Sequence, residues 1–201
     1  MSQSHTKVAK FLHWGFIVLY VYGILKQVNE LGELEDKGLL VFEIIFAITF
    51  LIIVISRYSY MRRFKTFLGA NEPIHIVHYY FARTVHRAMY ACFILLPLTG
   101  LIIAGLYAQG YTVNATPDEE QTIMDLALDF HGAIADLSYI LIILHIAAAI
   151  YSRMKGEGVW SSMVPIFNQE KPANNPAIKK IAALEEKIYD RFKHIFSTKR
   201  K

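Results

Sequence analysis

From about Leu126 to Tyr151 the chain is almost wholly apolar, and two histidines, His131 and His145, interrupt the run fourteen residues apart. A stretch of this length exceeds the roughly 20 residues that an α-helix needs to cross the hydrocarbon core of a bilayer. Fourteen residues is close to four helical turns, so both rings project from one face, roughly 21 Å apart along the axis. An ionisable side chain inside a membrane segment is costly unless it has a partner or a task. Two on one face, near opposite leaflets, point to two cofactor levels stacked through the membrane, and iron in haem is the chemistry that fits.

Composition agrees with a membrane chain. Hydrophobic residues make up 54% and charged residues 19% of the 201 positions, whereas soluble domains are about 45–50% apolar. The formal net charge of +4 does not indicate nucleic-acid binding, because the basic residues sit in blocks beside the apolar runs. One cysteine, Cys92, excludes an internal disulfide, a CxxCH haem attachment and a cysteine-ligated iron–sulfur cluster. The first apolar run has no small-residue cleavage site after it, and is expected to be a permanent span.

Four spans are expected: Val8 to Leu25, Gly38 to Ile55 with the single charge Glu43, Thr84 to Leu106 with Pro97 kinking it, and Leu126 to Tyr151. The loop from Lys26 to Lys37 is acidic, with Glu30, Glu33, Glu35 and Asp36. The next connection is basic, with Arg57, Arg62, Arg63, Lys65, Arg83 and Arg87 against Glu72. The third carries Asp118, Glu119, Glu120, Asp125 and Asp129 and no lysine or arginine, and Arg153 and Lys155 follow the last span. This alternation places both termini and the second loop in the cytoplasm of a multi-pass membrane protein.

Beyond the spans, Pro165, Pro172 and Pro176 break up a linker, and Asn175-Pro176 reads as an N-cap followed by proline at the first helical position. Ile178, Ile181, Ala182, Leu184, Ile188, Phe192 and Ile195 then recur at mostly three- and four-residue steps. That is an amphipathic helix, which either lies in the membrane plane, receives a partner, or packs on the protein's own cytoplasmic face. The expected organisation is therefore all-α: a four-helix transmembrane bundle over residues 1–166, then a linker and amphipathic helix over 167–201.

Depth ranks the histidines. His13 lies one or two turns into the first span, and His145 lies roughly 12 Å in from Arg153. They share a level, and two facing imidazoles give a b-type haem its two axial nitrogens. His131 sits on the first turn of the fourth span, at the outer level, where the second span offers Glu43. Three arrangements are open there: a second haem on His131, a Glu43–His131 hydrogen-bonded pair, or Glu43 serving proton transfer to a quinone. His86, between Arg83 and Arg87 at the cytoplasmic interface, is placed to meet a haem propionate or a quinone head group, or to ligate iron. Arg83, Arg87 and Lys65 either pair with propionates or only enforce topology. His75 and His78 share a face if their segment is helical. Asp136 is placed to orient a ligand or carry protons, and His5 and His194 suggest no role.

The joint order of His13-Trp14 on the first span, His86 ahead of Leu95-Leu96-Pro97-Leu98-Thr99-Gly100 on the third, His131 and His145 on the fourth, and the tail Met154 to Pro165 resembles the bacterial cytochrome b561 and nickel–iron hydrogenase b-type cytochrome superfamily. The resemblance covers about residues 7 to 166. It implies a four-helix membrane cytochrome with two b haems, the cytoplasmic-side one held by His13 and His145. The outer one would use His131 and a second-span histidine, and counting back from Arg57 that position is Glu43 in this chain. It also implies electron exchange with quinone, acting alone or as the cytochrome subunit of a dehydrogenase or reductase. The rival expectation is a haem-free anchor or transporter whose intramembrane His, Glu and Asp carry protons or metal ions.

Overall fold

A computed structural model describes residues 5–26, 28, 31–63, 76–113, 122–164 and 175–197, with side chains of the last segment described to Phe192. Its elements are α1 (Lys7–Leu25), a 3-10 turn (Leu31–Glu35), α2 (Lys37–Met61), α3 (Ile76–Ala108), α4 (Ile123–Lys155), the short α5 (Val159–Met163) and α6 (Pro176–Ser197). No strand occurs among the described residues. Helices α1 to α4 are long and apolar enough to cross a membrane. Large apolar side chains such as Val18, Leu25, Ile45, Ile52, Ile102, Ile140 and Ile143 are exposed. In water such a surface would drive association, whereas in lipid it faces its own solvent.

Local chemistry sets the helix ends. Thr6 caps α1 by accepting from the Ala9 amide at 3.2 Å, and Asp36 caps α2 through the Gly38 amide at 2.8 Å. At α4, Thr122 and Asp125 form a reciprocal capping box: the Asp125 amide donates to Thr122 Oγ1 and the Thr122 amide to Asp125 Oδ2. The expected Asn175 cap of α6 is present, with the Ala177 amide donating to its Oδ1 at 2.9 Å. Gly110, at φ +86°, ends α3: the Tyr111 amide reaches the Leu106 carbonyl and the Gly110 amide that of Tyr107. A side chain there would be strained in the left-handed conformation.

Three helices outrun their sequence boundaries, α4 by three residues at its start and four at its end. α3 begins at Ile76, so His78 is on its first turn, while His75 lies outside the described residues. α2 continues to Met61 because no glycine or proline interrupts the sequence after Ile55, and this draws Arg57 out of the expected loop into a helix where it is buried. Lys65, Glu72, Asp118, Glu119, Glu120, Pro165 and Pro172 fall outside the described residues.

The chain divides into two compact units, one of Leu12–Tyr60 and Met89–Ile140, the other of Met1–Phe11, Met61–Ala88 and Leu141–Lys201. The first is a bundle of four helix segments. Phe16 packs on Phe50 and Phe93 with ring centroids 5.3 and 4.7 Å away, and Tyr20 lies 5.2 Å from Phe93. On the same level Tyr20 and the fully buried Ser138 are joined at 2.6 Å, Ser138 donating onward to the Ala135 carbonyl. This aromatic layer is the middle of the unit.

In the other unit α6 docks on the ends of α3 and α4 through one residue. Glu185 accepts from Tyr151 at 2.9 Å, Lys155 at 2.9 Å and its own helix neighbour Tyr189 at 2.6 Å, with His78 at 3.8 Å. Burial pushes the Glu185 carboxyl up, but the hydrogen bonds from Tyr189, Lys155 and Tyr151 outweigh it and hold the group below its ordinary range. Packing on the protein's own helices, one of three readings open from sequence, is therefore realised on this face of α6. Ile181, Leu184, Ile188 and Phe192 form a separate stripe that stays exposed.

Candidate functional site

Counting helical rise from the aromatic layer, the first unit carries two polar levels, each roughly 10 Å from the middle. At one, α1 and α2 bring His13 and Arg57 together, Arg57 Nη2 lying 2.7 Å from His13 Nδ1. Arg57 is 9% exposed, with its guanidinium 5.2 Å from the Phe16 ring and 5.3 Å from the Tyr90 ring. Arginine only donates. His13 Nδ1 is therefore the acceptor, and a neutral ring so bonded carries its proton on Nε2.

At the other level, α3 and α4 bring Thr99 and His131 together at 2.7 Å. Thr99 Oγ1 lies 2.8 and 3.0 Å from the carbonyls of Leu95 and Leu96, which can only accept. With its single proton so directed, the hydroxyl accepts from His131 Nδ1, leaving the Nε2 lone pair unprotonated. That is the tautomer a metal-bound imidazole needs. A side chain on Gly100 would lie 3.8 Å from His131 Cε1, so the helix backbone runs close beside the ring.

Lys26 and Glu43 occupy this same level. Lys26 Nζ donates to Glu43 Oε1 at 2.9 Å and lies 3.9 Å from the centre of the Phe42 ring. The Glu43–His131 pair, one of the three arrangements open from sequence, does not form. A full positive charge at the end of α1 meets the carboxylate, and a threonine hydroxyl meets the imidazole.

The second unit holds His86 and His145, which sequence depth alone did not pair. Their rings are 4.9 Å apart, edge to face. His86 Nδ1 donates to the Ala82 carbonyl at 2.6 Å, so the neutral form of the ring keeps its lone pair on Nε2. Arg83 and Arg87 flank it on the exposed side of α3, Arg83 Nη1 donating to Tyr79 at 3.3 Å. Asp136 is exposed, and no group of three or more metal-ligating side chains occurs among the described residues. Bis-histidine haem ligation needs only two.

The family model for prokaryotic cytochrome b561 matches residues 4–165, which takes in all four long helices and every histidine just described. The chain belongs to the prokaryotic cytochrome b561 family. No curated protein and no solved structure matches it. Family membership implies a membrane protein that binds b-type haem and transfers electrons. The donor set suits that group at His131 and His86, whose Nδ1 protons are directed to an oxygen. At His13 the imidazole suits it once Arg57 releases Nδ1.

Two contributors escaped sequence reasoning. Thr99 was legible only as part of a motif, and its hydrogen bond across helices has no sequence signal. Arg57 has one, a lone arginine just after a long apolar run with no acid within a turn, although charge alternation alone groups it with the basic connection.

Proposed function

We propose that the protein carries single electrons between the quinone pool and a donor or acceptor at one face of a bacterial inner membrane, with both termini in the cytoplasm. Haem iron, when bound, supplies the one-electron couple; the chain supplies ligation, burial and orientation. His13 and His145 would hold the cytoplasmic-side haem. His131 is the histidine for the outer level, where Glu43 is occupied by Lys26. His86, with Arg83 and Arg87 beside it, would meet the quinone head group or a propionate. The exposed stripe of α6 would rest against lipid at the membrane surface.

The observation that carries this reading is the cytochrome b561 family match over residues 4–165, which takes in the histidines of α1, α3 and α4. The test is the absorption spectrum of purified protein, with and without reduced quinol. A low-spin b-type spectrum that becomes reduced by quinol alone supports a self-sufficient carrier, and one that is reduced only after a partner subunit is added supports the cytochrome subunit of a larger enzyme. Absence of any Soret band would leave the haem-free transporter or anchor.

A further inference from the structure

Arg57 is the only charged side chain among the described residues that is buried. A guanidinium has five N–H donors and accepts nothing. Here one acceptor meets it, His13 Nδ1, while its Nε is buried without a hydrogen-bond partner. No carboxylate pairs with it among the described residues. The Phe16 and Tyr90 rings soften the charge but do not neutralise it, and an uncompensated buried ion is strongly destabilising. Among the described residues, nothing beside it carries a compensating negative charge.

The one bond it makes conflicts with metal ligation by the same histidine. While Arg57 donates to Nδ1, the proton of the neutral ring sits on Nε2, which then has no lone pair for iron. Ligation through Nε2 requires the proton on Nδ1 and Arg57 turned elsewhere. Both needs are met by one planar carboxylate reaching this level, since guanidinium binds carboxylate in a two-pronged fork.

We propose that Arg57 is the receptor for a haem propionate, exchanging His13 Nδ1 for that carboxylate when haem binds. The exchange supplies the missing counter-charge and frees the imidazole to adopt the ligating tautomer in a single event. Arg57 is thus a binding and positioning residue. This rests on the reading of His13 as an iron ligand.

The test uses haem-free full-length protein in detergent, titrated with iron protoporphyrin IX and with its dimethyl ester, which has no free carboxylate. Wild type is expected to bind the free acid about tenfold or more tightly than the ester, the range of a charge-assisted hydrogen bond. Arg57→Gln should bind both equally and Arg57→Lys should recover part of the preference. In its haem-loaded form Arg57→Gln should show a more negative midpoint potential. Equal binding of acid and ester by wild type, or an undiminished preference in Arg57→Gln, overturns the proposal. His13→Ala separates the two readings: it should lose the low-spin spectrum yet keep the acid-over-ester preference. A low-spin spectrum that survives His13→Ala removes His13 as ligand, whatever Arg57 does.

Discussion

Thr99 and His131 are joined by a 2.7 Å hydrogen bond between α3 and α4, and the hydroxyl's own proton is directed back to the carbonyls of Leu95 and Leu96. This relay fixes both the rotation of the imidazole and the nitrogen that bears its proton.

Thr99→Val keeps the shape and removes the acceptor. The His131 Nδ1 proton then loses its hydroxyl acceptor, which costs about 1 kcal/mol. The expected result is a fall of several degrees in the thermal midpoint in detergent, with Thr99→Ser close to wild type. An unchanged midpoint in Thr99→Val would show that the bond does not hold His131.

The Lys26–Glu43 pair is 35% and 26% exposed at its side chains, and a glutamine at position 43 can still accept a hydrogen bond from Lys26. Glu43→Gln should therefore leave the fold and the haem content unchanged. Pyridine haemochrome assay of wild type is expected to give a ratio near one haem per chain. Glu43→His supplies the second-span imidazole implied by the family resemblance, and should raise the ratio toward two. A wild-type ratio of two would show that His131 retains a haem without that partner.

His86 and His145 lie ring against ring, yet different roles are proposed for them. His145→Ala should abolish the low-spin spectrum of the His13 haem. His86→Ala should keep that spectrum and slow reduction by quinol. Loss of the low-spin spectrum in His86→Ala, and its survival in His145→Ala, would reverse the assignment.

Glu185 makes attachment of α6 depend on pH. Its folded pKa lies below the ordinary value of 4.5, so the stabilisation is fully present above that value and is lost as pH falls through the lower, folded one. The groups facing it are Tyr151 and Lys155 from α4, His78 from α3 and Tyr189 on α6 itself. Protease cleavage ahead of α6 should be slow at pH 7 and increase on acidification below about pH 4.5, measured with an acid-active protease against a pH-insensitive control. Glu185→Gln should be cleaved readily already at pH 7.

The spans, their apolar faces, the Asn175 cap and the family were all legible in the chain, because each is written in local pattern: run length, the 3.6-residue period, a capping residue, the order of histidines. What local pattern could not decide was partner choice. That Glu43 meets Lys26, that His131 meets Thr99, that Arg57 lies buried against His13 and that Glu185 gathers two tyrosines and a lysine all depend on how helices are rotated against one another. Rotation is set by the sum of many packing contacts, such as those of Phe16, Phe50 and Phe93, and no single stretch of sequence contains that sum.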